Sequence, residues 1–454
     1  MVESMWKDKT FFKGMLGIAL PIALQNLITS SLNMVDTLMI SSLGDASIAA
    51  VGLANQVFFF YMLIVFGINS GSSIFISQFW GKEDIKNIRK ILGLAICLGS
   101  VVGILFTIAA FFVPEFLMNI FTKDAEVVAL GADYLKIVSL SYIVTAIGFS
   151  YSVAARSIGQ ARMPMVVSAI SFVTNTFFNY LLIFGKFGFP RLGVKGAAYG
   201  TLIARIVELG FILYAVYSDR GVLAASIKDL TGWGKDYFMK YIKTTYPVIL
   251  NEAIWALGNI MYSIAYARIG KEAIAAVQIA TTVQNIFMVI SRGLANAATV
   301  MVGNKIGGNE EKLAVEYSKR FLIIATMTGV ILGMGLFFSA GTVLKLFRKL
   351  TPEVYEIAKN TLKVIGIVFF IKMFNGTMIV GVLRGGGDTK FSLFLELGSV
   401  WLVGVPMAFL GALVFKLPVH IIVALVSLEE VVKAVIGIPR LISKKWVKNV
   451  TESM

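Results

Sequence analysis

The stretch Ile48-Ala49-Ala50-Val51-Gly52-Leu53-Ala54 returns 226 residues later as Ile274-Ala275-Ala276-Val277-Gln278-Ile279-Ala280, with five of the seven positions identical. The same spacing places Pro21 on Pro247, Leu24 on Leu250, Gly44 on Gly270, Gly67 on Gly293 and Gly81 on Gly307. A spacing of 228 places Arg156-Ser157-Ile158-Gly159 on Arg384-Gly385-Gly386-Gly387. A nearly constant spacing across so many features indicates an internal duplication, so we expect two homologous halves.

The composition of the chain is that of a membrane protein. Hydrophobic residues make up 57% of it and charged residues 15%, with a mean hydropathy of +0.81, whereas a soluble chain has about 25% charged residues. The net charge of +15 does not indicate a nucleic-acid partner, because the basic residues lie in short breaks between apolar stretches. With one cysteine, Cys97, and one histidine, His420, neither an intrachain disulfide nor a zinc site is expected.

Twelve apolar segments are long enough to cross a bilayer, which takes about 20 residues in a helix. Their approximate ranges are 15–43, 48–80, 91–113, 127–153, 164–184, 195–217, 243–268, 273–302, 321–345, 354–383, 392–415 and 419–438. The first is read as a retained helix, because no cleavage signal follows it. The fold class is therefore an all-α polytopic membrane protein.

Orientation follows from the basic residues of the loops, which concentrate on the cytoplasmic side. With the N-terminus in the cytoplasm, the loops on that side carry 24 Lys and Arg, and the opposite loops carry 9. We therefore expect both termini in the cytoplasm and a location in the inner cell membrane.

Six helices per half is an even number, so both halves enter the bilayer from the same side and form a parallel repeat. The predicted domains are an N-terminal lobe, 1–217, a cytoplasmic linker, 218–243, and a C-terminal lobe with its tail, 244–454. Within the linker, Trp233, Tyr237 and Lys240 suit a helix at the membrane interface, and a plain linker is the equal alternative.

The chain has none of the common motifs for nucleotide or hydrolase chemistry, namely a P-loop, H-E-x-x-H or G-x-S-x-G. A transporter without an ATPase draws on an ion gradient. We therefore expect no enzyme activity and no cofactor. A passive channel is also disfavoured, because no filter-like loop or ring of charge is present.

Polar residues in the first half form a candidate cation site, since ionisable groups inside a bilayer are costly and functional by default. Asp36 lies about 12 Å from the outer end of helix 1 at 1.5 Å per residue. Asn175 and Asn179 share one face of helix 5, and Tyr134 and Thr201 lie at similar depth. These oxygens suit a hard cation such as Na⁺, and a lone aspartate suits a proton. Ordinary interhelical hydrogen bonding is the alternative.

The second half carries a different set of charges. Glu252, Arg292 and Lys372 lie within the apolar segments, as do Glu429, Glu430 and Lys433. They form either a structural network of ion pairs or a site in which Glu252 binds protons or substrate. The repeat aligns Glu252 with Asn26 and Asp36 with Tyr262, so the halves carry their acids at different places. The glycine-rich loop 381–390 and its weaker copy 155–162 are expected to be structural and gating elements.

These residues together resemble the MATE (multidrug and toxic compound extrusion) family over nearly the whole chain. The resemblance is carried by Pro21 with Gln25-Asn26, Asn33-x-x-Asp36, Leu43-Gly44, Ala49-Ala50-Val51, Gln78-x-x-Gly81, Asn175-x-x-x-Asn179, Gly193-x-x-Gly196-Ala197-Ala198, Asn251-Glu252-x-x-Trp255 and Leu383-Arg384-Gly385-x-Gly387-Asp388-Thr389. It implies twelve helices in two six-helix lobes around a central cleft. It also implies alternating access that exports organic, often cationic, compounds in exchange for H⁺ or Na⁺.

The resemblance also implies roles for individual residues. Asp36, Tyr134, Asn175, Asn179 and Thr201 match the cation site of many prokaryotic members, where Na⁺ would be held by Asp36, Asn175, Asn179 and Thr201. Glu252 matches a helix 7 carboxylate, with Lys372 and Arg292 as further candidates for coupling or substrate contact.

Two departures from the family pattern bear on the ion. Asn179 stands where many members have an aspartate, which weakens the case for Na⁺ and favours H⁺. The helix 10 segment Phe370-Ile371-Lys372-Met373-Phe374-Asn375 has no acid, and we expect Lys372 to neutralise Glu252.

The expected partners are amphipathic small molecules and membrane lipid, with the protein acting as a monomer. The alternative function is a lipid-linked oligosaccharide flippase of the same superfamily. Such a flippase would need basic residues in the cleft, and Arg205, Arg292 and Lys372 are the candidates.

Overall fold

The computed structural model describes residues 8–347, 350–452 and 454, and over these residues it contains helices and no strand. The first half contains α1 Lys9–Ser41, α2 Asp45–Gly81, α3 Ile85–Phe112, α4 Pro114–Phe121, α5 Ala125–Val138, α6 Ser141–Ser157, α7 Arg162–Phe184, α8 Val194–Ser218 and α9 Ile227–Thr231. The second contains α10 Lys235–Ala267, α11 Lys271–Gly307, α12 Glu311–Leu344, α13 Pro352–Arg384, α14 Thr389–Val414, α15 Val419–Val426 and α16 Leu428–Ile442. Residues 1–7 of the predicted N-terminal loop, and residues 348, 349 and 453, lie outside the described part.

Ten of these helices are long and apolar enough to cross a membrane within the described residues, and the bent pair α5 and α6 raises the number to eleven. The sequence predicted twelve spans. The last predicted segment, 419–438, instead forms two short helices on either side of Ser427, whose hydroxyl donates to the carbonyl of Val423 at 2.7 Å. Charged residues follow this break directly, which explains why the segment fails as an apolar span.

The fourth predicted span is bent by 52° between α5 and α6. Serine hydroxyls occupy the bend: Ser139 donates to the carbonyl of Lys136 at 3.2 Å, and Ser141 donates to that of Val138 at 2.6 Å. From α3, the Thr107 hydroxyl donates to the carbonyl of Ser139 at 2.8 Å. Side chains that enter the backbone ladder bend helices in this way.

The chain divides into two compact units, Pro21–Thr245 and Met1–Leu20 with Tyr246–Met454. Both boundaries lie inside long helices and close to a proline, Pro21 in α1 and Pro247 in α10. A proline within a helix removes one backbone hydrogen bond and favours a kink. The domain boundaries predicted from the sequence stay a prediction, and these units assign the first twenty residues and the linker differently.

The start of α1 is anchored on α12 within its unit. Phe11 is fully buried against the rings of Tyr317 and Phe321, with ring centroids 4.9 and 5.1 Å away. Asp8 caps the helix by accepting from the Phe11 amide at 3.0 Å and pairs with Arg320 at 2.5 Å. The amide hydrogen bond and the guanidinium together lower the pKa of Asp8 from its ordinary value.

Glycines allow neighbouring helices to approach closely in each unit, as expected where dispersion rather than hydrophobic burial drives packing in lipid. In the first half, a Cβ at Gly196 of α8 would lie 2.5 Å from the Leu182 backbone of α7. In the second, a Cβ at Gly333 of α12 would lie 2.4 Å from the Gly366 carbonyl of α13. These pairs fix the spacing of the helices that carry the polar residues.

The glycine-rich loop after α13 is packed under the C-terminal tail. A Cβ at Gly386 would lie 2.4 Å from the ring of Trp446, which is fully buried. Asp388 is buried and pairs with Arg440 at 2.7 Å and with Lys448 at 2.6 Å. These contacts give the loop the structural part that the sequence predicts for it, and its gating part stays a prediction.

The linker is ordered and packs on α3, which joins the two alternatives drawn from the sequence. Its short helix α9 has a capping box between Ser226 and Asp229. The guanidinium of Arg89 pairs with Asp229 at 3.4 Å and donates to the Val222 carbonyl at 2.9 Å. Gly93 provides the space, because a Cβ there would lie 1.8 Å from the Leu230 carbonyl oxygen.

Gly93→Ala is expected to displace the linker from α3. The listed clash involves backbone and cannot be relieved by a rotamer change, so we expect a loss of about 1–3 kcal/mol of unfolding free energy. Thermal unfolding in detergent and protease cleavage within 218–243 measure it. Gly210→Ala in α8 is the control, since a Cβ there meets nothing within 4 Å, and equal behaviour of the two variants would contradict the docking.

Candidate cation site

The five residues predicted for the cation site lie together in the unit Pro21–Thr245. Four helices supply them: Asp36 comes from α1, Tyr134 from α5, Asn175 and Asn179 from α7, and Thr201 from α8. The two asparagines face the same side because they are one helical turn apart. The sequence positions therefore predicted which side chains meet.

A continuous chain of hydrogen bonds joins these side chains. The Asn179 amide donates to Asp36 Oδ1 at 2.7 Å and to Asn175 Oδ1 at 2.9 Å. The Asn175 amide donates to the Thr201 hydroxyl at 3.3 Å, and Thr201 is also hydrogen-bonded to Tyr134. All four helices are thus tied to one carboxylate through neutral polar groups.

Burial makes this network electrostatically important. Asn175 is 1% exposed, Asn179 is fully buried and Tyr134 is buried, while Asp36 is half-buried. The side-chain oxygen of Asn179 has no hydrogen-bond partner among the described residues. A buried oxygen without a donor beside a carboxylate is a position where a proton-bearing group or a hard cation would be stabilised.

An ion pair that the sequence analysis did not assign to this site lies next to it. Arg205 and Glu208 of α8 pair at 2.7 Å, and the Ser171 hydroxyl donates to Glu208 at 3.2 Å. The Arg205 guanidinium also interacts electrostatically with Asp36. The signal that could have found the pair is the Arg-x-x-Glu spacing within an apolar helix, which places both charges on one face.

Gly200→Ala is expected to reduce transport several-fold by disturbing this network. A Cβ at Gly200 would lie 2.0 Å from Asn179 Oδ1, so the Asn179 amide must leave its place between Asp36 and Asn175. Misplacement of a coordinating group by about 1 Å is costly in a preorganised site. Efflux from proteoliposomes measures the effect, with Gly210→Ala of the same helix as the control. Equal rates for the two variants would contradict the assignment.

In the second half, Glu252 is paired with Arg384 and not with Lys372 as predicted. The Arg384 Nη1 to Glu252 Oε1 distance is 2.7 Å, and the two side chains are 4% and 16% exposed. Lys372 instead interacts electrostatically with Glu429, and Arg292 is exposed. The prediction failed because α13 continues as a π-helix over Thr377–Arg384, and the wider turn brings Arg384 to α10.

Glu429, Glu430 and Lys433 form ion pairs, as the structural reading of the sequence expected, and Glu396 joins them. Among the described residues, no group of three or more His, Cys, Asp or Glu side chains is arranged to hold a metal ion. The Na⁺ set of Asp36, Asn175, Asn179 and Thr201 has one acid and stays a prediction.

The sequence matches the MatE family profile twice, over residues 21–181 and 247–410. The two matches begin 226 residues apart, which confirms the duplication. The chain is 27% identical over 411 residues to the probable multidrug resistance protein NorM of Thermotoga maritima, covering 89% of this chain and 86% of that protein. It is 25% identical over 407 residues to the uncharacterized transporter YisQ of Bacillus subtilis, covering 89% and 88%.

Solved structures show the same fold. The MATE transporter VcmN of Vibrio cholerae superposes with a TM-score of 0.87 at 18% identity, over 96% of this chain and 98% of that chain. A MOP superfamily transporter from Pyrococcus furiosus, described by the reverse polarity of its binding pocket, superposes with a TM-score of 0.85 at 20% identity, over 95% and 96%. The two profile matches cover more than half of the sequence, and the fold agrees with them. The protein is therefore a multi-pass membrane protein that belongs to the MATE family of transporters.

Proposed function

We propose that the protein is a secondary active antiporter that exports amphipathic, often cationic, organic compounds in exchange for H⁺ or Na⁺. The observation that carries the proposal is the single carboxylate of Asp36, held by Asn179 at the centre of a buried polar network. Relatives named as multidrug resistance proteins support the substrate class. The protein acts as a transporter, not an enzyme, and needs no cofactor besides the coupling ion.

Cation binding at Asp36 would act through the packing of α1. A proton or Na⁺ neutralises the carboxylate and changes its hydrogen bond with Asn179. Because α1 runs from one compact unit into the other at Leu20 and Pro21, a change in its packing involves both units. Substrate release is the step that this change favours, and substrate binding favours the opposite state by linkage.

The charges around Asp36 favour H⁺ over Na⁺. Asn179 contributes an amide in place of a second acid, and the nearby Arg205 carries a positive charge that Glu208 offsets. A site with one carboxylate and an adjacent cation attracts Na⁺ weakly, whereas a single carboxyl group suffices to bind a proton.

The structure of the second half narrows the proposed substrate contacts. Glu252 is neutralised by Arg384, which favours a structural role for this carboxylate. The lipid flippase alternative is weakened for a similar reason, since the guanidinium of Arg205 is paired with Glu208. We propose that the protein acts as a monomer in the inner cell membrane with both termini in the cytoplasm, as the loop charges indicate.

Efflux from proteoliposomes under separately imposed H⁺ and Na⁺ gradients tests the proposal, with ethidium as the lipophilic cation. One gradient alone is expected to drive efflux, and collapsing it with an ionophore is expected to stop it. Efflux that ignores both gradients would contradict antiport. Movement of a labelled anionic lipid in place of ethidium would support the flippase instead.

A further inference from the structure

A second group of buried charges lies in the unit that contains Tyr246–Met454, outside the site of Asp36. Lys433 of α16 is 4% exposed, and its amine lies 3.0 Å from Glu396 of α14. It also lies 3.6 Å from Glu429 and 3.5 Å from Glu430. Each of these three glutamate side chains is no more than 10% exposed. We call these four residues the helix 16 cluster.

Further polar groups face this cluster from the other helices packed against it. The Tyr262 hydroxyl of α10 donates to Glu429, and Lys372 of α13 and Tyr266 of α10 interact electrostatically with the same carboxylate. The Asn375 amide of α13 donates to Glu430 Oε2 at 2.7 Å and to the Glu430 carbonyl at 2.8 Å.

The side-chain oxygen of Asn375 points to a missing donor. Asn375 is 2% exposed, and this oxygen has no hydrogen-bond partner among the described residues. Because the amide nitrogen is held by Glu430, the oxygen of the same group lies at the edge of the cluster. An unsatisfied buried acceptor costs about 1–3 kcal/mol, and a proton carried by a neighbouring carboxyl group or a water would satisfy it.

Charge balance indicates what the cluster binds. Three carboxylates surround one ammonium group, and Lys372 adds a second positive charge that forms no salt bridge with the described residues of the cluster. Fully ionised, the cluster would hold an excess of negative charge in a buried place, which is unfavourable by several kcal/mol for each uncompensated ion. Protonation of one carboxyl group removes that excess.

The internal duplication relates this cluster to the site of Asp36. Helices α8 and α15 begin 225 residues apart, at Val194 and Val419. The same spacing takes Ser171, Arg205 and Glu208 to Glu396, Glu430 and Lys433, respectively. The ion pair of the first half, Arg205 with Glu208, therefore recurs with its signs exchanged, and the contact of Ser171 with Glu208 recurs as that of Glu396 with Lys433.

The carboxylate itself has an equivalent from another helix. A spacing of 226 takes Asp36 to Tyr262, and 225 takes Asn179 to Gly404. Gly404 leaves the space that an amide fills in the first half, since a Cβ there would lie 2.1 Å from the Tyr262 hydroxyl and 2.5 Å from Glu429 Oε2. Glu429 thus places a carboxylate where the duplication puts the carboxylate–amide contact of Asp36 and Asn179.

We propose that the helix 16 cluster is a second proton-binding site, in which Glu396, Glu429 and Glu430 share one exchangeable proton opposite Lys433. This site titrates independently of Asp36, and it does not require the proposed antiport to be correct. Its counterpart of the cation is a proton rather than Na⁺, because Lys433 occupies the centre among the three carboxylates.

Infrared difference spectroscopy of the full-length protein in liposomes, recorded while the pH is changed, tests the proposal. The readout is the carbonyl band of a protonated carboxylic acid. We expect a titrating band to persist in Asp36→Asn and to be lost or shifted by Glu396→Gln, Glu429→Gln or Glu430→Gln. The control is Glu356→Gln, from the exposed pair of Glu356 and Lys359 at the same i, i+3 spacing, and it is expected to leave the band unchanged.

Absence of a titrating band from Asp36→Asn would overturn the proposal, as would a band that all three glutamine variants retain. If a glutamine variant does not fold, Glu429→Asp and Glu430→Asp replace it. These keep the charge, and a proton at the cluster is expected to shift the band in at least one of them; an unshifted band in both would also overturn it.

Discussion

Asp36→Asn is expected to lower cation-driven efflux roughly 5–150-fold, the range that a coupling free energy of about 1–3 kcal/mol gives. Asparagine has the shape of aspartate and keeps a hydrogen-bonding contact with Asn179, but it cannot bind a proton or attract Na⁺. Substrate binding without a gradient is expected to remain. Efflux of ethidium from proteoliposomes under the driving gradient measures the difference.

Asp45→Asn is the control for this prediction, because Asp45 is an exposed acid at the start of α2. It is expected to transport at the parental rate. Full cation-driven efflux by Asp36→Asn at matched protein density would mean that the network around Asp36 is only structural.

Glu252→Ala is expected to reduce the free energy of unfolding by about 3–5 kcal/mol, because it leaves the buried guanidinium of Arg384 without its partner. The pair is 2.7 Å long, and Arg384 is 4% exposed. The double variant with Arg384→Ala is expected to recover part of the loss, since no charge is then left unpaired. Thermal unfolding in detergent, evaluated as a double-mutant cycle, measures the coupling.

The exposed pair of Glu356 and Lys359 is the reference for that cycle. Its atoms are 3.4 Å apart with side chains 58% and 32% exposed, and such surface pairs contribute about 0–1 kcal/mol. A coupling for Glu252 and Arg384 no larger than that of the reference would show that the contact is not a buried ion pair.

Helix geometry explains why the first-half site could be predicted from the sequence. Asn175 and Asn179 are one turn apart, and the depth of Asp36, Tyr134 and Thr201 could be counted from the ends of their apolar segments. Each of these helices is α-helical at the residue concerned, so the regular rise and rotation hold. The hydrogen bonds found between the five side chains follow from that regularity.

Irregular backbone explains what could not be predicted. The partner of Glu252 depends on the π-helix Thr377–Arg384, and the bend before α6 depends on serine side chains. Neither leaves a clear signal in hydropathy, because both replace an ordinary helical turn without a proline or a charge. The interruption at Ser427 is similar, and it reduced the number of continuous spans below the predicted twelve.

The central claim is that Asp36 binds the coupled cation, and thermodynamic linkage tests it most directly. The slope of log Kd for ethidium against pH, or against the logarithm of Na⁺ concentration, gives the number of ions exchanged on binding. We predict that Asp36→Asn lowers one of these slopes by about 1 relative to the parent, and that Asp45→Asn changes neither. Two slopes that stay the same in Asp36→Asn would contradict the account.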